Sequence, residues 1–278
     1  MKIVFFGVGA VCSVMATLLD ELSNKSKQKD INFIFVVRNI KKAQAHFFKN
    51  SNVLNKSDFL EIKHFEEIFE DSKKYEKYLQ NSDIFINSST PSFNLPIMNL
   101  ALKYNTNYAD LASDIYKDEI ISTLKFDQQN LENEFKYKNL FALINLGISP
   151  GITNFLIGEK IHSLKNLPYE VKIKKLEINL LEEIQSKKLI FSWSPKVAID
   201  ELAFPPVFYK KNRPKTIEPF SKSKVYKFPY FRNIVDIYPV FQEELISLKQ
   251  SFPQIENLKL FVGGSEIELM KNLYQLNL

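Results

Sequence analysis

Six residues near the start of the chain, Gly7-Val8-Gly9-Ala10-Val11-Cys12, combine two features that a phosphate group requires of a polypeptide. Glycines let the backbone turn tightly and bring N–H groups close to an anion, and a helix starting at the same place points its positive end there. The apolar run Lys2 to Phe6 precedes the glycines and a helix-compatible stretch, Val11 to Leu22, follows them. The six residues therefore read as the turn between a strand and a helix, which assigns Gly7, Gly9, Ala10, Val11 and Cys12 to the pyrophosphate of a dinucleotide. Cys12 stands where the glycine fingerprint has its third glycine. It is small enough to let a helix pack close to a strand, and reads as a packing residue rather than a reactive thiol.

Further positions extend the site. The next apolar run, Ile31 to Val37, ends in Arg38 and Asn39. A site selective for NAD places an acid near this strand end to hold the ribose 2′-hydroxyl, whereas Arg38 puts a cation where a 2′-phosphate would sit. NADP is the cofactor expected, with NAD the alternative if Arg38 is a solvated strand-end residue. The run Asp83 to Asn87 leads into Ser88, Ser89 and Thr90, small hydroxyl residues at the end of a strand where ligands of parallel sheets lie. They line the nicotinamide side of the cofactor, or else cap the helix that follows. Asp110 ends the next strand and would face the same crevice as an acid, or cap a helix. Asn145 to Asn154 reads as a strand end, a Pro-Gly turn and a new helix. Its Ser149, Pro150, Gly151 and Asn154 could meet an anionic group of a substrate at the helix N-terminus, or form only a capped turn.

Positioning these residues requires alternating elements. Helix patterns at Lys41 to Lys49, Tyr75 to Gln80 and Leu95 to Lys103 alternate with strands at Phe59 to Lys63, Asp83 to Asn87 and Asn107 to Leu111. Strands alternating with helices predict an α/β fold, a doubly wound parallel sheet of the Rossmann type. The polar segment Asp127 to Asn139 reads as a surface helix near a hinge, giving a dinucleotide-binding domain over 1–126 and a second α+β domain over 127–278. The first helix after Gly151 is expected to pack on the first sheet. Strands are expected at Val171 to Leu180 and Lys188 to Trp193, among prolines clustered from Pro195 to Pro219.

The stretches GVGAVCSVMA, DIFINSSTPSFNLPIMNLALKYNTNYADLAS, LGISPGITN and FSWSP occur in the order and spacing of the saccharopine dehydrogenase-like proteins. That group includes saccharopine reductases and carboxynorspermidine dehydrogenases, and the resemblance runs from Lys2 to about Gly263. It implies reversible hydride transfer at a carbon–nitrogen bond between NAD(P)(H) and an amino-acid conjugate. In such relatives the second domain covers the cofactor crevice, and the segment matching Trp193-Ser194 lies on the substrate side. A dicarboxylate substrate needs cations, and among only three arginines Arg232 is the candidate, against an ordinary surface role. The resemblance also exposes departures. Saccharopine reductases carry an aspartate at the place of Ser149 and a lysine near that of Asn105, both thought to handle protons, which leaves Asp110 as the nearest acid. Many relatives continue into a closing segment, whereas this chain stops at Leu278, so that segment is short here or the protein is trimmed.

Composition narrows the partners. The chain of 278 residues is 45% hydrophobic and 25% charged, with a mean hydropathy of −0.18. It has no run of eighteen apolar residues and no signal-peptide pattern, so a cytoplasmic protein without membrane contact is expected. One cysteine and three scattered histidines speak against disulfides and metal sites. A net charge of +5 comes mostly from lysines interleaved with acids, which reads as a solvated surface rather than a nucleic-acid face. The expected function is an NADP-dependent oxidoreductase acting on a small molecule, with a homodimer as the candidate assembly; the alternative is a cofactor-binding relative without turnover, acting as a sensor or binding protein.

Overall fold

The computed structural model describes residues 1–26, 30–47, 51–114, 125–186, 198–199 and 204–276. It divides into two units, one formed by Met1–Asp114 with Phe126–Gly147 and the other containing Ile148–Leu278.

The first unit alternates strands with helices: β1 (Lys2–Phe6), α1 (Ala10–Ser26), β2 (Asn32–Val37), α2 (Ile40–Ala45), α3 (Ser51–Asn55), β3 (Ser57–Glu61), α4 (Glu66–Glu70), α5 (Glu76–Leu79), β4 (Ile84–Asn87), α6 (Asn94–Lys103), β5 (Asn107–Asp110), α7 (Glu132–Tyr137) and β6 (Ala142–Leu143). The six strands form one parallel sheet in the order β3-β2-β1-β4-β5-β6. Successive side chains of a strand point to opposite faces, and this alternation splits the core in two. Val4, Phe6, Ile34, Val36, Phe85 and Tyr108 pack with Ile97 and Met98 of α6 on one face. Ile3, Phe5, Phe33, Phe35, Ile86 and Ala109 pack with Cys12 and Ala16 of α1 on the other. Because both faces are covered, β1 and β2 read in the sequence as unbroken apolar runs.

The order reverses between β1 and β4, the point at which such sheets bind ligands beyond their carboxyl ends. Phe6, the last residue of β1, pairs with Val36 and Asn87, so the glycine turn, Arg38 and Ser88 emerge from one edge of the sheet. The stretch after Phe126 stays with this unit, since β6 pairs with β5 through Tyr108↔Ala142 and Ala109↔Leu143. The first unit thus runs to Gly147, past the boundary expected at residue 126.

The second unit contains α8 (Ile152–Lys165), β7 (Lys175–Leu181), β8 (Val207–Lys210), β9 (Arg213–Thr216), β10 (Lys224–Lys227), β11 (Ile234–Pro239), α9 (Glu243–Ser251), β12 (Asn257–Gly263) and α10 (Ser265–Gln275). Its sheet runs β10-β11-β12-β8-β9 with antiparallel neighbours, and β7 joins β12 in parallel. β7 falls four residues later than the strand expected from Val171, and the expected strand Lys188 to Trp193 lies outside the described residues. No helix among the described residues is long and apolar enough to cross a membrane.

Candidate functional site

Two glycines shape the turn after β1 for different reasons. Gly7 has φ +91°, and a Cβ there would lie 2.8 Å from Cβ of Ser89. Its N–H donates to the Val36 carbonyl at 2.9 Å, which fixes the turn against β2. A Cβ on Gly9, by contrast, would meet nothing within 4 Å. That space borders the start of α1, where Ser13 N–H donates to the Gly9 carbonyl at 3.0 Å. The N–H groups of Ala10, Val11 and Cys12 have no acceptor among the described residues. Open space beside a glycine and unsatisfied N–H groups at the positive end of a seventeen-residue helix fit a dinucleotide pyrophosphate. Cys12 is fully buried, and burial pushes its thiol up to about 12 against the lowering effect of a hydrogen bond with Ser88. At neutral pH it is an unreactive packing group.

The hydroxyl residues after β4 build the loop that faces this turn. Ser88 Oγ donates to the Gly7 carbonyl at 2.7 Å, and Ser88 N–H to the Phe6 carbonyl at 3.0 Å. Ser89 sends its N–H and its hydroxyl to Asn87 Oδ1, at 3.0 and 2.6 Å. Thr90 shares a hydrogen bond with Ser92 at 2.9 Å and makes no side-chain cap. Asn87 itself is held by Asn94 Oδ1, which also accepts from Tyr108 Oη. Ser88 and Ser89 therefore use their hydroxyl protons to fix the loop against Gly7.

At the end of β2, Arg38 is exposed and has no ion-pair partner among the described residues. The loop that carries it is held on both sides. Asn39 Oδ1 accepts from Lys42 N–H at 2.8 Å, and Glu61 Oε2, on neighbouring β3, accepts from Ile40 N–H at 3.0 Å. The Glu61 contact was not anticipated from the sequence, where an acid ending a strand carries no signal of the loop it will meet.

Asp110 corrects the expectation of an acid facing a crevice. It is 1% exposed, with Oδ1 accepting from Asn145 N–H at 2.8 Å and Oδ2 from the Gln128 amide at 2.7 Å. Burial pushes its carboxyl up to about 7, against those hydrogen bonds. With both oxygens engaged inside the protein, its role is to pin the chain leaving β6. Asn105 has φ +52°, accepts from Lys138 Nζ at 2.7 Å, and sits before β5. In a parallel sheet that is the edge opposite the glycine turn.

In the second unit, the turn 149–154 is joined to α9. Gly151 N–H donates to Asn154 Oδ1 at 3.1 Å, and Asn154 Nδ2 donates to Ser247 Oγ at 2.8 Å. Ser149 Oγ donates to Glu244 Oε1 and lies 3.1 Å from Gln242 Oε1, while Thr153 Oγ1 donates to Glu244 Oε1 at 2.7 Å. Glu244 escaped the sequence reading because Gln242-Glu243-Glu244 looks like a solvated acidic helix start, yet it is 0% exposed. Pro150 is buried behind this turn. Arg232 is exposed in the loop between β10 and β11, where its carbonyl accepts from Lys227 Nζ. Trp193 and Ser194 lie outside the described residues. No group of three or more His, Cys, Asp or Glu among the described residues could hold a metal ion.

Residues 3–143, just over half of the chain, match the model of the saccharopine dehydrogenase NADP binding domain. The fold resembles saccharopine dehydrogenase (L-Glu forming) from Saccharomyces cerevisiae, with a TM-score of 0.71 and 17% identity over 99% of this chain and 58% of that one. The chain thus spans less than two thirds of the yeast enzyme. Looser similarity reaches the WlbA dehydrogenase from Thermus thermophilus, solved with NAD and alpha-ketoglutarate, at TM-score 0.45 and 12% identity over 95% of this chain and 73% of that one. A myo-inositol dehydrogenase from Corynebacterium glutamicum gives TM-score 0.44 and 12% identity over 96% and 68%. No curated protein matches the sequence. The first unit is an NADP-binding domain, as its glycine turn and Arg38 led us to expect, with NAD the alternative ligand. Through this domain, the chain belongs to the saccharopine dehydrogenase family.

Proposed function

We propose that the protein is an NADP-dependent oxidoreductase acting on the carbon–nitrogen bond of an amino-acid conjugate. The observation that carries the reading is the glycine turn: open space at Gly9, and N–H groups on Ala10, Val11 and Cys12 without acceptors, within a domain matched to NADP binding. NADP supplies hydride transfer when bound. The protein's part is to bind and orient. Ala10 to Cys12 would take the pyrophosphate, Arg38 the 2′-phosphate, and Ser88, Ser89 and Thr90 would shape the nicotinamide side of the loop. Ser149, Pro150, Gly151 and Asn154 are proposed to meet the substrate, with Arg232 for a carboxylate and Trp193-Ser194 beside it. Asp110, the acid singled out from the sequence, has both oxygens engaged, by the Asn145 N–H and the Gln128 amide.

The test is calorimetric titration with NADPH and NADH, followed by a screen of secondary amines, saccharopine first, for absorbance change at the reduced-nicotinamide band. Tighter NADPH binding and turnover of one amine are expected. Equal affinity for both cofactors overturns the NADP preference, and tight NADPH binding without turnover favours a binding protein. That second reading has one observation in its favour: the nearest acid to the cofactor turn found in the sequence is fully engaged. We also propose a cytoplasmic homodimer, checked by light scattering and by fractionation.

A further inference from the structure

Within the first unit, the loops that leave the carboxyl ends of β4 and β5 are joined by one buried amide. The two strands lie side by side with Asn87 paired to Asp110, so residues 88–90 and 111–113 emerge next to each other. Neither stretch is helix or strand, and each needs other contacts to hold it in one conformation. Asn94, the first residue of α6, reaches both. Its Nδ2 donates to the Ala112 carbonyl at 2.9 Å, and its Oδ1 accepts from Asn87 Nδ2 at 2.7 Å and from Tyr108 Oη at 3.0 Å. Asn87 passes the connection on. Its Nδ2 also donates to the Thr90 carbonyl at 3.1 Å, while its Oδ1 accepts from the Ser89 N–H and hydroxyl.

The anchor beneath these contacts is firm, since Ile97, Met98 and Ala101 bury α6 against the sheet. An apolar side chain at position 94 would serve that packing, whereas an amide offers a donor to one loop and an acceptor to the other at once. The connection also extends to the cofactor turn, because Ser89 is the residue that a Cβ on Gly7 would strike.

We propose that Asn94 is a positioning residue for the nicotinamide half of NADP, acting through Asn87 on Ser89 and Thr90 and holding the β5 loop beside them. The inference rests on the reading above that residues 88–90 shape the nicotinamide side. Asn94 is buried beneath these loops and acts through them. A loop already held in one arrangement loses little freedom when a ligand lands on it, so a residue that touches no ligand can still raise affinity.

The experiment titrates the full chain, Asn94→Ala and Asn94→Asp with NADP+ and with adenosine 2′,5′-bisphosphate, which carries the adenosine half alone. Asn94→Ala should bind NADP+ at least about tenfold more weakly, what one net hydrogen bond is worth, and the bisphosphate within about twofold of the wild type. Asn94→Asp keeps the test available where alanine costs the fold. As a neutral acid it retains each contact, its O–H donating to the Ala112 carbonyl; once ionised it turns a bare oxygen toward that carbonyl. The titratable groups around this position are Tyr108, whose phenol is pushed up by burial and by Asp110, and Asp110 itself, so each comparison is made with the wild type at the same pH. Relative to the wild type, the NADP+ affinity of Asn94→Asp should fall from about pH 5 to about pH 8.5, and that for the bisphosphate should not. Equal loss of both ligands by Asn94→Ala, loss of neither, or no pH dependence in Asn94→Asp overturns the positioning role and leaves the reading of the loop standing. A wild type that binds NADP+ no more tightly than the bisphosphate overturns both.

Discussion

Alanine at Gly9 places a methyl group in open space, whereas alanine at Gly7 drives one into Ser89, and the difference separates what the turn does for the fold from what it does for NADP. At Gly7 the new Cβ would lie 2.8 Å from Ser89 Cβ and 3.2 Å from two of its backbone atoms, none of which can swing away. The φ of +91° adds strain for any residue with a Cβ, about 1–2 kcal/mol. Overpacking adds about 1–3 kcal/mol. Gly7→Ala should therefore cost about 2–5 kcal/mol, a large share of a typical stability of about 5–15 kcal/mol. Gly9→Ala meets no protein atom within 4 Å and should change stability by less than about 0.5 kcal/mol. Its methyl group occupies the volume proposed for the pyrophosphate, so NADPH should bind at least about tenfold more weakly, a loss of about 1.4 kcal/mol. Urea unfolding followed by circular dichroism, with calorimetric NADPH titration of the same samples, measures both quantities. The reasoning is refuted if Gly9→Ala loses as much stability as Gly7→Ala, or if it binds NADPH as tightly as the wild type.

Arg38→Ala should weaken NADPH binding by about 1.5–3 kcal/mol, the worth of a hydrogen bond to a charged group, and leave NADH unchanged in parallel titrations. Folded Asp110 titrates at about 7, against about 3.9 in an unfolded chain. Between those values the native state keeps a proton that the unfolded state has released, so this group's contribution to stability declines as pH rises from about 4 to 7. Asp110→Asn should flatten that slope in urea titrations between pH 5 and 8; a slope equal to that of the wild type would exclude Asp110 as its source. Lys249 Nζ donates to Asn212 Oδ1 at 2.6 Å and to the Pro253 and Ile255 carbonyls, both at 2.8 Å. Lys249→Met leaves those acceptors unpaired and should lower the thermal midpoint, by about 2–4 kcal/mol in unfolding free energy.

Sequence alone determined what depends on neighbours along the chain. β1 was legible from Lys2 to Phe6 because a strand covered on both faces is an unbroken apolar run, and the glycines mark its end. The alternation of strands with helices through β5 was legible too, and with it the parallel sheet. The second sheet was less legible: β9, Arg-Pro-Lys-Thr, is exposed throughout, and β10, Lys-Val-Tyr-Lys, is alternately half-buried and exposed, so neither carries a continuous apolar signal. Only the tertiary structure decided the partners of the polar groups. Asp110 reads as a free acid until Asn145 N–H and Gln128, neither adjacent in sequence, are found on its two oxygens. Glu244 reads as a solvated helix start until Ser149, 95 residues earlier, donates a hydrogen bond to it. Periodicity and turn chemistry are local properties, and therefore legible along the chain; burial and hydrogen bonding join residues far apart in sequence, and the cost of enclosing a charge is set by the folded surroundings.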